Sequence, residues 1–270
     1  WLVTHLRLPV LNGLLIMLKV GQISYVNVAP FFYFWRDASL EFIKGPPRFL
    51  GQLAREGKID LAPLPVFDGF SLEETFEPLG SFGIAATRKV MSVFLLSQKP
   101  IEMLGHSAVS LTTDSSTSMV LLKLLLQEKY CLRNVQYFQS ASGEKGSPSG
   151  RLLIGDQALK EGSPSEEWPF VYDLAELWNE WTSLPFTFAR WVVRKGVSQA
   201  DKLRLTHALS QNLDEAYPRL EELCAGESTR TGIAPGVLLA YLRNFTFKLG
   251  AAEVEGIALF KNKTRNAGLR

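Results

Sequence analysis

Only two cysteines and three histidines occur in 270 residues, and these scarcities exclude a good deal of chemistry. Cys131 and Cys224 are far apart and form no C-x-x-C, so both read as reduced, structural thiols. His5, His106 and His207 are too scattered for a metal site of ordinary spacing, and no H-E-x-x-H is present. There is also no G-x-S-x-G, no G-x-G-x-x-G after a strand, no Walker motif and no marked Cys/His pair. No metal and no cofactor is therefore expected, and chemistry must rest on Ser, Thr, Asn and backbone groups. Charge of one sign is not concentrated either. The 29 Lys and Arg against 27 Asp and Glu are interleaved and leave a net +2, with no footprint for nucleic acid.

A membrane-spanning run is missing as well. The opening WLVTHLRLPVLNGLLI is apolar but broken by Pro9, Asn12 and Gly13, and it lacks the basic start and small-residue cleavage site of a signal peptide. Residues 1–16 read as an upstream or leader segment, with the fold beginning at Met17. With no lipid-anchor cysteine recognised, the cytoplasm is the default compartment and no membrane partner is expected.

What remains is an apolar-rich chain, 46% hydrophobic and 21% charged, near the length at which one core divides into two lobes. Short strand-like runs at 18–26, 40–43, 59–64, 90–96, 108–111, 135–138, 152–154 and 186–193 alternate with helical patterns at 47–56, 118–130 and 174–181. This alternation predicts an α/β fold. The last third reads as amphipathic helices over 198–224, 234–244 and 251–260, with KNKTRNAGLR as a solvated tail. Two long apolar strands, VMSVFLLS and LPFTFARWVVR, bracket a middle segment and predict a two-lobed protein. Lobe 1 is 17–96 plus 187–270, lobe 2 is 97–186, a ligand cleft lies between them and the crossing strands act as hinges. SASGEKGSPSG reads as a flexible surface loop, because it lacks phosphate-loop spacing.

The stretch TTDSSTSMVLLKLLLQEKY sets Ser115, Ser116, Thr117 and Ser118 before an apolar helix. Hydroxyls and orphan N–H groups at a helix start form a cup for a carboxylate or phosphate, although one cap is all a helix needs. Asn27 stands where open α/β sheets present ligand-binding groups, or else it caps the next helix. Ser92 is the polar exception in an apolar strand and needs a partner, either a ligand or a backbone carbonyl. Asp156, at the end of LLIGDQAL, either meets a substrate hydroxyl or caps the helix over 157–160. The aromatics Phe31 to Trp35 cover every helical face, so some of them must touch another lobe or a ligand.

Six segments together resemble the chorismate dehydratase family of the futalosine route to menaquinone: VGQISYVNVAPFF, LAREGKIDLAPLP, VMSVFLLS, TTDSSTSMVLLKLLL, LLIGDQAL and YDLAELWNEWTSLPFTFARWVVR. They follow the family's order across roughly residues 18–250. The resemblance implies a fold like a type 2 periplasmic binding protein and a lyase that removes water from chorismate to give 3-[(1-carboxyvinyl)oxy]benzoate. It implies Asn27 and Ser92 as the catalytic pair, Ser115, Ser116, Thr117 and Ser118 on a substrate carboxylate, and Asp156 near the cleft. No protein base is evident, so the substrate's own enolpyruvyl carboxylate is the expected proton acceptor. A monomer or homodimer is expected. The rivals are a carboxylate-binding protein of the same fold and the sister enzyme that makes dihydroxynaphthoate. That sister uses a second-lobe histidine, whereas His106 here reads as a surface-turn residue.

Overall fold

A computed structural model describes residues 17–139 and 148–269, together with the backbone of two short strands before them. The strands are β1 (Val10–Leu11), β2 (Leu14–Leu15), β3 (Leu18–Ile23), β4 (Leu40–Gly45), β5 (Leu61–Pro65), β6 (Phe76–Ala86), β7 (Val93–Ser97), β8 (Ala108–Leu111), β9 (Gln136–Gln139), β10 (Gly150–Ile154), β11 (Phe170–Asp173), β12 (Phe186–Arg194) and β13 (Phe245–Lys248). The helices are α1 (Ala29–Phe32), α2 (Pro47–Arg55), α3 (Val66–Phe70), α4 (Ser116–Leu124), α5 (Gly155–Glu161), α6 (Leu174–Thr182), α7 (Gln199–Ala216), α8 (Leu220–Thr231), α9 (Pro235–Arg243) and α10 (Ala251–Asn266). The expected leader over 1–16 lies outside the described residues except for β1 and β2, and the expected loop at 140–150 lies outside them up to residue 147.

Two sheets form two lobes. The first runs β13-β6-β12-β5-β3-β4 and the second β11-β7-β10-β8-β9. Each has a parallel part, β4-β3-β5 in one and β10-β8-β9 in the other, completed by antiparallel strands. Sheet membership moves one expected boundary. β7 was expected in lobe 1 up to residue 96, yet it pairs with β10 and β11 in the second sheet, so the chain crosses before Val93. The links between lobes are the short pieces 87–92 and 183–185, not the long strands expected to hinge. Each holds a non-glycine residue in left-handed backbone, Met91 at φ 61° and Ser183 at φ 61°, a conformation that costs energy unless neighbours enforce it. At Met91 the enforcer is Asp173. Its carboxylate accepts from the N–H groups of Val90 (2.9 Å) and Met91 (2.8 Å) while also capping α6 through Ala175 and Glu176. Burial pushes the Asp173 carboxyl above the usual carboxylate value, against the pull of those four N–H groups.

Local chemistry sets the other boundaries. Pro218 has no N–H to donate and clashes with the preceding turn, so the single helix expected over 198–224 is broken into α7 and α8. The expected C-terminal tail is helix instead. α10 extends to Asn266 with Thr264 buried, because Phe260 and Thr264 face the core one turn apart. The aromatics of 31–35 stay within the first lobe: Phe31, Phe32 and Trp35 pack on Trp191, and Phe34 receives the Arg219 guanidinium 3.8 Å from its ring centre. None of the five lines the cleft between the lobes. Both cysteines are free, Cys224 buried and Cys131 exposed, so only Cys224 packs as the structural thiol expected of both.

Candidate functional site

Parallel strands deliver their loops at their carboxyl ends, and here the ends of two parallel strands from each lobe face one another. From the first lobe come Tyr25 and Asn27 after β3 and Pro65 at the end of β5; from the second come Ser115 and Ser118 after β8 and Gly155 after β10. Val90 and Ser92 of the crossing segment, with Val93 at the start of β7, close one side. The enclosed space is about 40 Å³, against about 300 Å³ or more for typical small-molecule sites. The structure is thus a closed form, and a ring-sized ligand requires the lobes to part.

Asn27 has no capping role. Neither the turn at Val26–Val28 nor α1 has a side-chain cap bond, and the Asn27 Oδ1 is buried without a hydrogen-bond partner among the described residues. An amide oxygen held dry and unpaired costs roughly 1–3 kcal/mol, which a ligand donor would recover. Within the protein Ser92 is partnered by a side chain and not by the backbone carbonyl that was one expectation: its Oγ accepts from the Tyr241 hydroxyl at 2.8 Å. Burial pushes the Tyr241 phenol well above its ordinary value, so it remains a proton donor to Ser92 at physiological pH.

The four hydroxyls at the cap and first turn of α4 divide into two pairs. Ser115 caps the helix by accepting from the Ser118 N–H at 3.2 Å and also meets the Ser118 hydroxyl at 3.0 Å; both residues line the cleft. Ser116 and Thr117, expected to hold substrate, are turned to the first lobe. The Ser116 hydroxyl donates to Asp68 at 2.8 Å and Thr117 Oγ1 accepts from the Phe67 N–H at 3.1 Å. Their side chains join lobes, leaving their orphan backbone N–H groups at the helix start. Asp156 neither caps α5 nor lines the cleft. Its Oδ1 accepts from the Val26 N–H at 3.0 Å and its Oδ2 from Arg230 at 3.3 Å, again tying lobe to lobe.

Two groups, Tyr25 in the cleft lining and Tyr241 buried behind Ser92, escaped sequence reasoning. Tyr25 donates to Asp114 at 2.9 Å across the lobes, and burial with the adjacent carboxylate drives its phenol pKa up. Its ring lies over Gly155, where an added Cβ would stand 2.8 Å from the ring and the backbone is left-handed at φ 61°. The glycine in LLIGDQAL was the available signal. For Tyr241, 149 residues from Ser92 in sequence, there was none. Among the residues lining the cleft there is no acid, no histidine and no lysine or arginine, and His106 is an exposed turn residue at φ 58°.

Two α/β lobes closing on an uncharged cleft, mostly apolar with a few hydroxyls and one amide in its lining, define a protein with the periplasmic-binding-protein type of fold. A protein of Archaeoglobus fulgidus superposes with a TM-score of 0.76 at 13% identity, covering 94% of this chain and 98% of that one. The periplasmic aliphatic sulphonate binding protein of Escherichia coli does so at 0.64 and 15%, covering 94% and 93%. A family model described as menaquinone biosynthesis matches residues 18–266, and the chain belongs to that family. A chorismate dehydratase of Thermus thermophilus is 30% identical over 255 residues, 89% of this chain and 93% of that protein. One from Campylobacter jejuni is 28% identical over 181 residues, 63% and 65% of the two chains. No described helix is long and apolar enough to cross a membrane.

Proposed function

We propose that this chain is a chorismate dehydratase, a carbon–oxygen hydro-lyase acting in the cytoplasm. The observation that carries the reading is the pairing of an unsatisfied Asn27 Oδ1 with Ser92, Ser115 and Ser118 in a cleft whose lining has no basic side chain. Chorismate needs few protein groups for this reaction. The hydrogen lost is on the ring carbon bearing the enolpyruvyl ether, where the ring alkene and ring carboxylate acidify it. Its electron pair forms the new ring double bond as the neighbouring hydroxyl departs, and the abstracted proton leaves with that hydroxyl as water, so the ring becomes aromatic.

The ring carboxylate gathers charge in this step and is placed at the start of α4, where Ser115, Ser118 and the free N–H groups stabilise it by preorganised hydrogen bonding. The substrate's enolpyruvyl carboxylate is the base, held by Ser92, while Asn27 accepts from the departing hydroxyl. Fixing these groups in reacting geometry replaces a protein base. Asp156 acts on closure and not on substrate.

The test is incubation of the chain with chorismate, followed by mass spectrometry and ultraviolet absorbance. Loss of one water with appearance of the carboxyvinyloxy benzoate is expected, and Asn27→Ala and Ser92→Ala should each lower kcat about 10²–10³-fold. Saturable binding with chorismate recovered intact would sink the lyase reading and leave a carboxylate-binding protein.

A further inference from the structure

A second cavity lies in the first lobe, between the six-stranded sheet and the helices α3 and α10. It encloses about 360 Å³, within the range of small-molecule sites and far larger than the closed cleft. Its walls are mostly apolar, with Leu64, Phe70, Leu72, Phe76, Val192 and Ile257 among them. Into this lining β12 inserts Arg190, whose Nε is shut off from solvent and has no hydrogen-bond partner. No described carboxylate pairs with its guanidinium. The two acids at the rim are already engaged, Glu73 by Lys261 at 2.6 Å and Glu77 by Lys202 at 2.7 Å. Burial pulls the Arg190 pKa below the ordinary guanidinium value, yet arginine keeps its charge in proteins.

Arg190 is half-buried, and a partly desolvated guanidinium with no carboxylate partner is open to an anion. Arg190 presents a planar fork that matches a carboxylate, while the rest of the lining, apart from Glu73, Glu77 and Lys195, offers mainly hydrocarbon contact. We propose that this cavity binds an amphiphilic monocarboxylate, with the carboxylate on Arg190 and the hydrocarbon chain along the apolar walls. The exposed Lys195 at the mouth draws such an anion in. The site is independent of the interlobe cleft, with which it shares only Pro65.

Gly69 allows a test that leaves Arg190 in place. It lines the cavity, and a Cβ added there would meet nothing within 4 Å, so Gly69→Leu adds bulk at the lining without a clash at its Cβ. Titration calorimetry of the full chain with decanoate, decan-1-ol and hexanoate reads the site. Decanoate should bind saturably, with decan-1-ol and hexanoate each at least about tenfold weaker. Arg190→Gln should weaken decanoate about tenfold or more, and Gly69→Leu should abolish binding while keeping a cooperative thermal transition. No saturable decanoate binding, equal affinity for the alcohol, or unchanged binding in Gly69→Leu would each overturn the proposal. If Arg190→Gln does not fold, Gly69→Leu decides alone.

Discussion

Asn27 and Ser92 face the same cleft under opposite hydrogen-bonding conditions. The Asn27 Oδ1 has no protein partner to lose, so Asn27→Ala should be no less stable than the parent in urea unfolding, and should gain up to about 1–3 kcal/mol as the unsatisfied oxygen is removed. Ser92→Ala removes the acceptor of a fully buried phenol. That leaves the Tyr241 hydroxyl unsatisfied and should cost about 1–3 kcal/mol. Tyr241→Phe removes the donor instead and should be milder, because Ser92 can turn its own hydroxyl to another acceptor. Comparing the three denaturation midpoints separates a group kept for a ligand from one held by the protein. The residue types at 27 and 92 were legible in the sequence as polar exceptions, but their partners were not. Nothing local distinguishes an asparagine awaiting a ligand from one capping a turn.

Among the elements, the turn from β10 into α5 is the most constrained at the cleft. Gly155 combines a left-handed backbone with the closest approach of the Tyr25 ring. Gly155→Ala should therefore cost about 1–2 kcal/mol in backbone strain and also wedge the lobes apart, raising the KM for chorismate in steady-state assays. α7 is anchored differently. Asp37, before β4, accepts from the Ser39 N–H at 2.9 Å and from Arg204 of α7 at 2.6 Å. Burial raises its pKa, but the Ser39 bonds and the Arg204 charge outweigh burial and the net shift is downward. A carboxyl with a folded pKa below its unfolded value stabilises the fold above the unfolded pKa, near 3.9. That stabilisation is lost as pH falls through the folded value. The Tm gap between the parent and Asp37→Asn should thus be full above about pH 5 and close progressively below about pH 4.

At the scale of the whole molecule, closure is held by bonds that join one lobe to the other, among them Asp156 to Val26 and Arg230, Tyr25 to Asp114, Ser116 to Asp68 and Thr117 to Phe67. Tyr241 binds Ser92 in the crossing segment. Asn244 adds a bond to the Lys89 carbonyl in the crossing segment. The Arg230–Asp156 contact is half exposed, so Arg230→Ala should change global stability by under about 1 kcal/mol. It should nevertheless shift the population toward open lobes, seen as a larger radius of gyration in small-angle scattering without ligand. An unchanged radius would show that the remaining bonds hold closure without Arg230.

The sequence by itself determined the α/β class, a two-lobed fold and most strand and helix positions. The elements follow from local periodicity and capping, as at α6, where Asp173 caps the first turn and left-handed Ser183 ends the last, and the two lobes from chain length and the apolar strands that bracket the middle segment. β6 was missed because FEPLGSFGIAA has a proline, two glycines and two alanines, poor strand formers that stand only because β12 and β13 pair on both sides. Only the tertiary structure decided which hydroxyls of the SSTS cluster face the cleft and which latch the lobes, that Asp156 ties lobe to lobe, and that Tyr241 holds Ser92. These assignments depend on groups brought together from distant parts of the chain. Local sequence carries the propensity of a residue to seek a partner, but the packing of the two lobes selects the partner it finds.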